Sequence, residues 1–169
     1  MAQGWCWYYH QQSLNLTAYS AGTSPVPGNP GKINPYAIKA MLEFGIDIQK
    51  HCSKNVLDLA DVDFDLVITV CDDAADNCPV FQRKGSQKKT VVVHHSFDDP
   101  PRLVGCNTDV SSDEEKEMMI TYRRVCEEIR ILFVTNYHYI SERRDTNPSP
   151  NLFQHYSSTR RVSSICMYL

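Results

Sequence analysis

Nowhere does the sequence hold an apolar run approaching the roughly 18 residues that a membrane-spanning helix needs. It has no large excess of either charge: 17 Lys and Arg stand against 20 Asp and Glu, for a formal net charge of −3. The first lack argues against a helical membrane protein. The second removes the whole-chain basic field that would draw in nucleic acid or an anionic membrane surface. There is no Gly-rich phosphate loop, no G-x-S-x-G elbow and no H-E-x-x-H zinc motif. The first residues, Met1-Ala2-Gln3-Gly4-Trp5, provide neither the basic flank nor the aliphatic core of a secretory signal. The expectation is therefore a cytoplasmic protein with reduced thiols. What is present is ordinary for a folded domain, 42% hydrophobic and 22% charged residues in a chain of 169, together with seven cysteines.

Along the chain, residues 1–12 read as a helix with Ala2, Trp5, Cys6 and Tyr9 on one face. A short strand is expected at residues 16–21, followed by a Pro/Gly-rich loop. The next helix starts at Asn34 as N-cap with Pro35 in the first turn, carries Ala37, Ile38, Met41 and Leu42 as its apolar stripe, and stops at Gly45. Residues 56–59 suit a short helix or an extended segment. Phe64-Asp65-Leu66-Val67-Ile68-Thr69-Val70 is a nearly continuous apolar run, as in a strand buried on both faces of a parallel sheet, and residues 90–93 form a second such run. Ser112 and Glu115 have capping-box spacing ahead of a helix with Met118, Tyr122, Val125, Ile129 and Leu132 on its inner face. The order of elements, without hairpin signals, predicts an α/β fold with a parallel sheet. Residues 141–169 are rich in Ser, Arg, Asn and Pro, with the pairs Arg143-Arg144 and Arg160-Arg161, and residues 135–169 are expected to be a disordered or non-family tail beyond a domain at residues 1–134.

Ligands of open parallel sheets bind beyond the carboxyl ends of the strands. Cys71 ends the most apolar strand, and Cys78 follows after Asp72-Asp73-Ala74-Ala75-Asp76-Asn77. Two thiols joined by a short loop suit a dithiol–disulfide cycle; a buried Cys71 with an incidental Cys78 is the plainer alternative. The three loop carboxylates disfavour a thiolate. Asp98-Asp99-Pro100 is either an ordinary polar turn or a carboxylate held at the rim as a general acid. His94 and His95, adjacent on a strand, point to opposite faces and so do not share one ion. No metal or other cofactor is expected.

Several segments match one family in order. They are Met1-Ala2-Gln3-Gly4-Trp5, Tyr19-Ser20-Ala21-Gly22, Asn34-Pro35-Tyr36-Ala37-Ile38-Lys39-Ala40-Met41, Asp65-Leu66-Val67-Ile68-Thr69-Val70-Cys71, Ala74-Ala75-Asp76-Asn77-Cys78-Pro79 and Phe97-Asp98-Asp99-Pro100. Over residues 1–134 the chain resembles the thioredoxin-coupled arsenate reductases, which share the low-molecular-weight protein tyrosine phosphatase fold. The resemblance implies a three-layer parallel sheet and a cysteine relay. A first cysteine, in a C-x5-R loop ahead of the first helix, takes arsenate. A second, matching Cys71, attacks it and releases arsenite. A third, matching Cys78, closes a disulfide that thioredoxin reduces, and Asp99 matches the general acid of phosphatase-type chemistry.

The sequence contains no C-x5-R motif. Met1 matches a methionine that the family carries after that loop, so the expectation is a chain lacking the first central strand, between those matching residues 16–21 and 66–70, and lacking the oxyanion loop. Such a chain is expected to be inactive towards arsenate unless the loop is supplied. Non-catalytic binding, a Cys71–Cys78 thiol switch and a tyrosine phosphatase-like activity are the alternatives. Some members bind potassium through residues matching Gln3, Ser20 and Asp65; with glutamine at the glutamate position, potassium is not expected. Arg130-Ile131-Leu132-Phe133-Val134-Thr135-Asn136 resembles the family's first strand, but the helical period runs through it. Thioredoxin is the partner implied, with neither nucleic acid nor membrane.

Overall fold

The computed structural model describes residues 1–10, 17–23, 28, 30–76, 90–100, 112–141 and 164–168. Its elements run α1 (Ala2–His10), β1 (Thr17–Ala21), α2 (Pro35–Leu42), a 3-10 turn (Val56–Leu59), β2 (Leu66–Thr69), α3 (Asp72–Asp76), β3 (Val91–His94), α4 (Ser112–Ser141) and β4 (Ser164–Tyr168). The four strands form one sheet in the order β1-β4-β2-β3, and every neighbouring pair is parallel. The sheet alternates its side chains between two cores, as strand geometry requires. Leu66, Ile68 and Val70 face α1, α2 and α4 together with Trp5, Met41, Tyr122 and Phe133. Val67 and Phe64 face the other way, against Val56, Leu59 and Ala74. The result is the expected three-layer α/β arrangement.

Local signals account for most elements. The Asn34 side chain accepts the Tyr36 N–H at 2.9 Å, so α2 opens where the cap and proline place it. It ends at Leu42, and Gly45, whose φ of +73° suits glycine, turns the chain so that Ile46 N–H donates to the Met41 carbonyl at 3.1 Å. The 3-10 turn carries a capping box between Asn55 and Asp58. All five expected inward residues of α4 are buried, and Trp5 Nε1 donates to the Cys126 carbonyl at 3.1 Å to join α1 to α4. Gly4 sits where α1 meets the chain after α2: an added Cβ would stand 2.8 Å from Ile48 Cγ2 and 2.9 Å from Met41 Cε.

The structure departs from expectation at five points. The place of the missing central strand is taken, since β4 lies between β1 and β2, with Cys166 level with Tyr19 on one side and Val67 on the other. Accordingly, residues 135–141 belong to α4 and 164–168 to the sheet; the rest of the expected tail lies outside the described residues. β4 closes the open rows of donors and acceptors on both β1 and β2, and its apolar run Ile165-Cys166-Met167-Tyr168 is a local signal hidden by the polar residues before it. β3 is an edge strand rather than one buried on both faces, so Val92 is exposed. On α2, Leu42 is exposed and Ala40 takes its place in the core, because the stripe turns toward α4. Ser112 already lies inside α4, and the Glu115 carboxylate accepts from Lys39 Nζ at 2.7 Å.

Burial predicts unequal costs along the sheet. Ile68→Ala, at a fully buried position, is expected to lower unfolding stability by about 2–5 kcal/mol. Val92→Ala, on the open edge, is expected to change it by about 0.5 kcal/mol or less. Urea unfolding of the two variants decides between this sheet order and one in which β3 is central.

Candidate functional site

At the carboxyl end of the sheet lies a cavity of about 400 Å³. Its walls come from the amino end of α1 (Ala2, Gln3), the end of β1 (Ser20, Ala21, Gly22), the segment His51, Ser53 and Lys54, the end of β2 (Val70, Cys71), and residues 97–100. Its floor is the core itself, through Ile48, Tyr122, Val125 and Ile129. Backbone pairing holds the walls. Gly22 N–H donates to the Lys54 carbonyl at 2.9 Å and Val56 N–H to the Gly22 carbonyl at 3.0 Å. Gly31 and Ser53 bridge in antiparallel fashion.

Cys71 lies two residues past the end of β2 and is half-buried. Its carbonyl accepts the Ala75 N–H, and its Sγ accepts the Ala74 N–H at 3.4 Å. The thiol therefore serves as N-cap of α3, in the role usually filled by a serine or aspartate oxygen. Across the cavity, His95 and Phe97 donate their N–H groups to the carbonyls of Thr69 and Val70 at 2.9 Å, extending the pairing past β3. Asp98 then accepts from Arg124 Nη2 at 2.8 Å, while Arg124 Nη1 holds Glu128. This clamp fixes the turn that presents Asp99 and Pro100 to the cavity. The structure thus brings Cys71 and Asp99 to one cavity; Cys78 lies outside the described residues.

The remaining candidates separate. His94 Nδ1 lies 2.9 Å from Thr69 Oγ1 and its Nε2 3.4 Å from Asp72, whereas His95 packs edge-on against Phe97. Gln3 bridges α1 and β1: its Oε1 accepts from Ser20 Oγ at 2.7 Å and its Nε2 donates to the Ala18 carbonyl at 2.8 Å. Asp65 does not join them. Ser20 is level with Ile68 through Met167, and Asp65 lies three residues, roughly 10 Å, back along the strand. Sequence reasoning missed His51, Ser53 and Lys54, which carry no motif and reach the cavity only through the bridges to Gly22 and Gly31. Lys54 is a cation at the wall, its Nζ donating to the Cys52 carbonyl at 3.2 Å. No arginine lines the cavity among the described residues. Cys6 is fully buried in α1, and burial pushes its thiol up to about 12, which leaves it inert.

The family described as low molecular weight phosphotyrosine protein phosphatase matches residues 1–135. The chain belongs to this family. Similar members include arsenate reductases of Bacillus subtilis and Bacillus licheniformis, each 36% identical over 133 residues, covering 76% of this chain and 78% of theirs. The arsenate reductase of Halalkalibacterium halodurans is 38% identical over 129 residues, with the same coverage. Within the family, this chain is similar to the arsenate reductases, and its α/β fold carries the cavity at the carboxyl end of the sheet. Among the described residues no helix is long and apolar enough to cross a membrane.

Two outcomes follow from the thiols and histidines. In the native protein, iodoacetamide at pH 8 is expected to label Cys71 at least about 100-fold faster than buried Cys6, read by peptide mass spectrometry. Burial lowers the pKa of His51 and of His95 below the ordinary 6.5, so the folded state favours the neutral rings. Their contribution is full above pH 6.5 and is lost as the unfolded chain takes up protons below it. His95→Gln is accordingly expected to lessen the fall in urea midpoint between pH 7.5 and pH 5.5.

Proposed function

We propose that this chain is the scaffold of an arsenate reductase working by a cysteine relay. Cys71 is the thiol that receives the oxidised intermediate, Cys78 is its disulfide partner, and Asp99 is the acid of the rim. The observation that carries this reading is the position of Cys71 on the wall of the cavity that Asp99 and the amino end of α1 also line. In the relay, arsenate bonds to a loop cysteine. Cys71 sulfur then attacks that cysteine, the sulfur–arsenic bond breaks, and its electron pair leaves with arsenite. Cys78 displaces the loop cysteine to give a Cys71–Cys78 disulfide, and a thioredoxin dithiol returns the two electrons.

The cavity's size supports a supplied loop. A tetrahedral oxyanion occupies on the order of two or three water volumes, about 60–90 Å³, a fraction of the 400 Å³ present. The rest has room for a backbone cradle of the kind that stabilises oxyanions through N–H groups and an arginine. The 169 residues contain no C-x5-R sequence to build that cradle. A second reading, a Cys71–Cys78 thiol switch without arsenate chemistry, draws on the half-buried state of Cys71 and needs no loop.

In a thioredoxin-coupled assay, the 169-residue chain is expected to show no arsenate-dependent NADPH oxidation. Placing a designed strand and C-x5-R loop ahead of Met1 is expected to bring turnover at least about 100-fold above background, and Cys71→Ser is expected to remove it. Turnover by the 169-residue chain that survives Cys71→Ser would sink the proposal. So would a folded, arsenate-binding loop-bearing chain that never turns over. Thiol titration between reducing and oxidising glutathione buffers reads the switch, through loss of two thiols at Cys71 and Cys78.

A further inference from the structure

Cys71 stands between two residues that a single side chain touches. Thr69 and His94 are level across β2 and β3, and His94 Nδ1 lies 2.9 Å from Thr69 Oγ1. The other ring nitrogen, Nε2, lies 3.4 Å from the carboxylate of Asp72, the first residue of α3. The imidazole therefore reaches from the end of β2 to the start of α3, on either side of the thiol. A carboxylate only accepts, so it favours the tautomer with the hydrogen on Nε2, which leaves Nδ1 to accept from the Thr69 hydroxyl. That hydroxyl belongs to a residue only 1% exposed, and a buried hydroxyl needs such a partner. Thr69 thus orients the ring, and the ring holds Asp72. The neighbouring His95 packs on Phe97 instead.

We infer that His94 is the positioning residue of the Cys71 thiol. α3 is five residues long, and a helix that short does not sustain itself. Ala74 anchors its middle in the second core, and its first turn hangs on Cys71, whose carbonyl and Sγ accept the N–H groups of Ala75 and Ala74. The His94–Asp72 contact ties the start of that turn back to the sheet. It also keeps the Asp72 charge against an imidazole N–H. Released, the same carboxylate would stand unpaired beside the sulfur and oppose the thiolate through which the thiol reacts. The consequence for turnover rests on the proposed function, in which Cys71 receives the oxidised intermediate. The hold on the thiol does not depend on that reading.

Amide hydrogen exchange at Ala74 and Ala75 and iodoacetamide labelling of Cys71, both at pH 7 in the 169-residue chain, test it. His94→Ala is expected to speed exchange of the two amides about three- to tenfold, the scale of one lost polar contact. It is expected to slow Cys71 labelling by about threefold or more. Thr69→Val, which keeps the shape of the side chain but removes the hydroxyl, is expected to move both rates in the same directions by less. His94→Gln, whose amide offers an acceptor and a donor as the ring does, is expected to return both rates to within about twofold of the parent. Asp72→Ala is expected to speed exchange as His94→Ala does, and the double variant no further. His95→Gln is expected to change neither rate. If His94 only packed against α3, its loss would loosen the turn and expose the thiol, so faster labelling in His94→Ala would overturn the inference. Unchanged exchange in that variant, or additive effects of His94→Ala and Asp72→Ala, would do the same. Neither readout uses arsenate, so a relay that fails in the coupled assay would count against the arsenate reductase reading alone.

Discussion

The fold rests on the parallel pairing of β4 between β1 and β2. Without an occupant there, two buried strand edges face each other across a gap of about 10 Å, twice the spacing of neighbouring strands, with no partner for their amide and carbonyl groups. Every other feature of the sheet presumes that gap closed. The core on the α1, α2 and α4 face spans β1 and β2 together, with Ala18 on one side and Leu66, Ile68 and Val70 on the other. The two clusters stay on opposite faces only while the strands hold their register.

The same closure shapes the cavity. Because the sheet is parallel throughout, the carboxyl ends of its strands gather at one edge, and the amino end of α1 meets them there. Cys71 and the turn that presents Asp99 reach that edge by different means. The thiol is carried by β2 and fixed as the cap of α3, whereas the turn is pinned from outside by Arg124 on α4. A large cavity with core residues for a floor thus has Asp99 and Cys71 on its walls.

Much of this was legible in the sequence because it is local. Asn34, Pro35 and Gly45 mark α2 by the dihedral and hydrogen-bond demands of helix ends. The inner face of α4 follows from its period, and β2 from a nearly continuous apolar run. Asn55 and Asp58 carry a capping signal that spacing alone would have disclosed. Leu42 and Ala40 exchanged places because the direction of packing, rather than the hydrophobicity of a residue, decides which side of a helix is inside.

The sequence by itself determined the family, the α/β class, the helices α1, α2 and α4, and the strand that leads to Cys71, since each rests on residues near one another in the chain. Only the tertiary structure decided that Ser164–Tyr168 fills the centre of the sheet, that His51, Ser53 and Lys54 join the cavity wall, and that Asp65 stands apart from Ser20. Those outcomes depend on pairings between residues far apart in the chain. A five-residue strand among polar residues gains its stability from the two edges it satisfies, and those edges belong to other parts of the molecule.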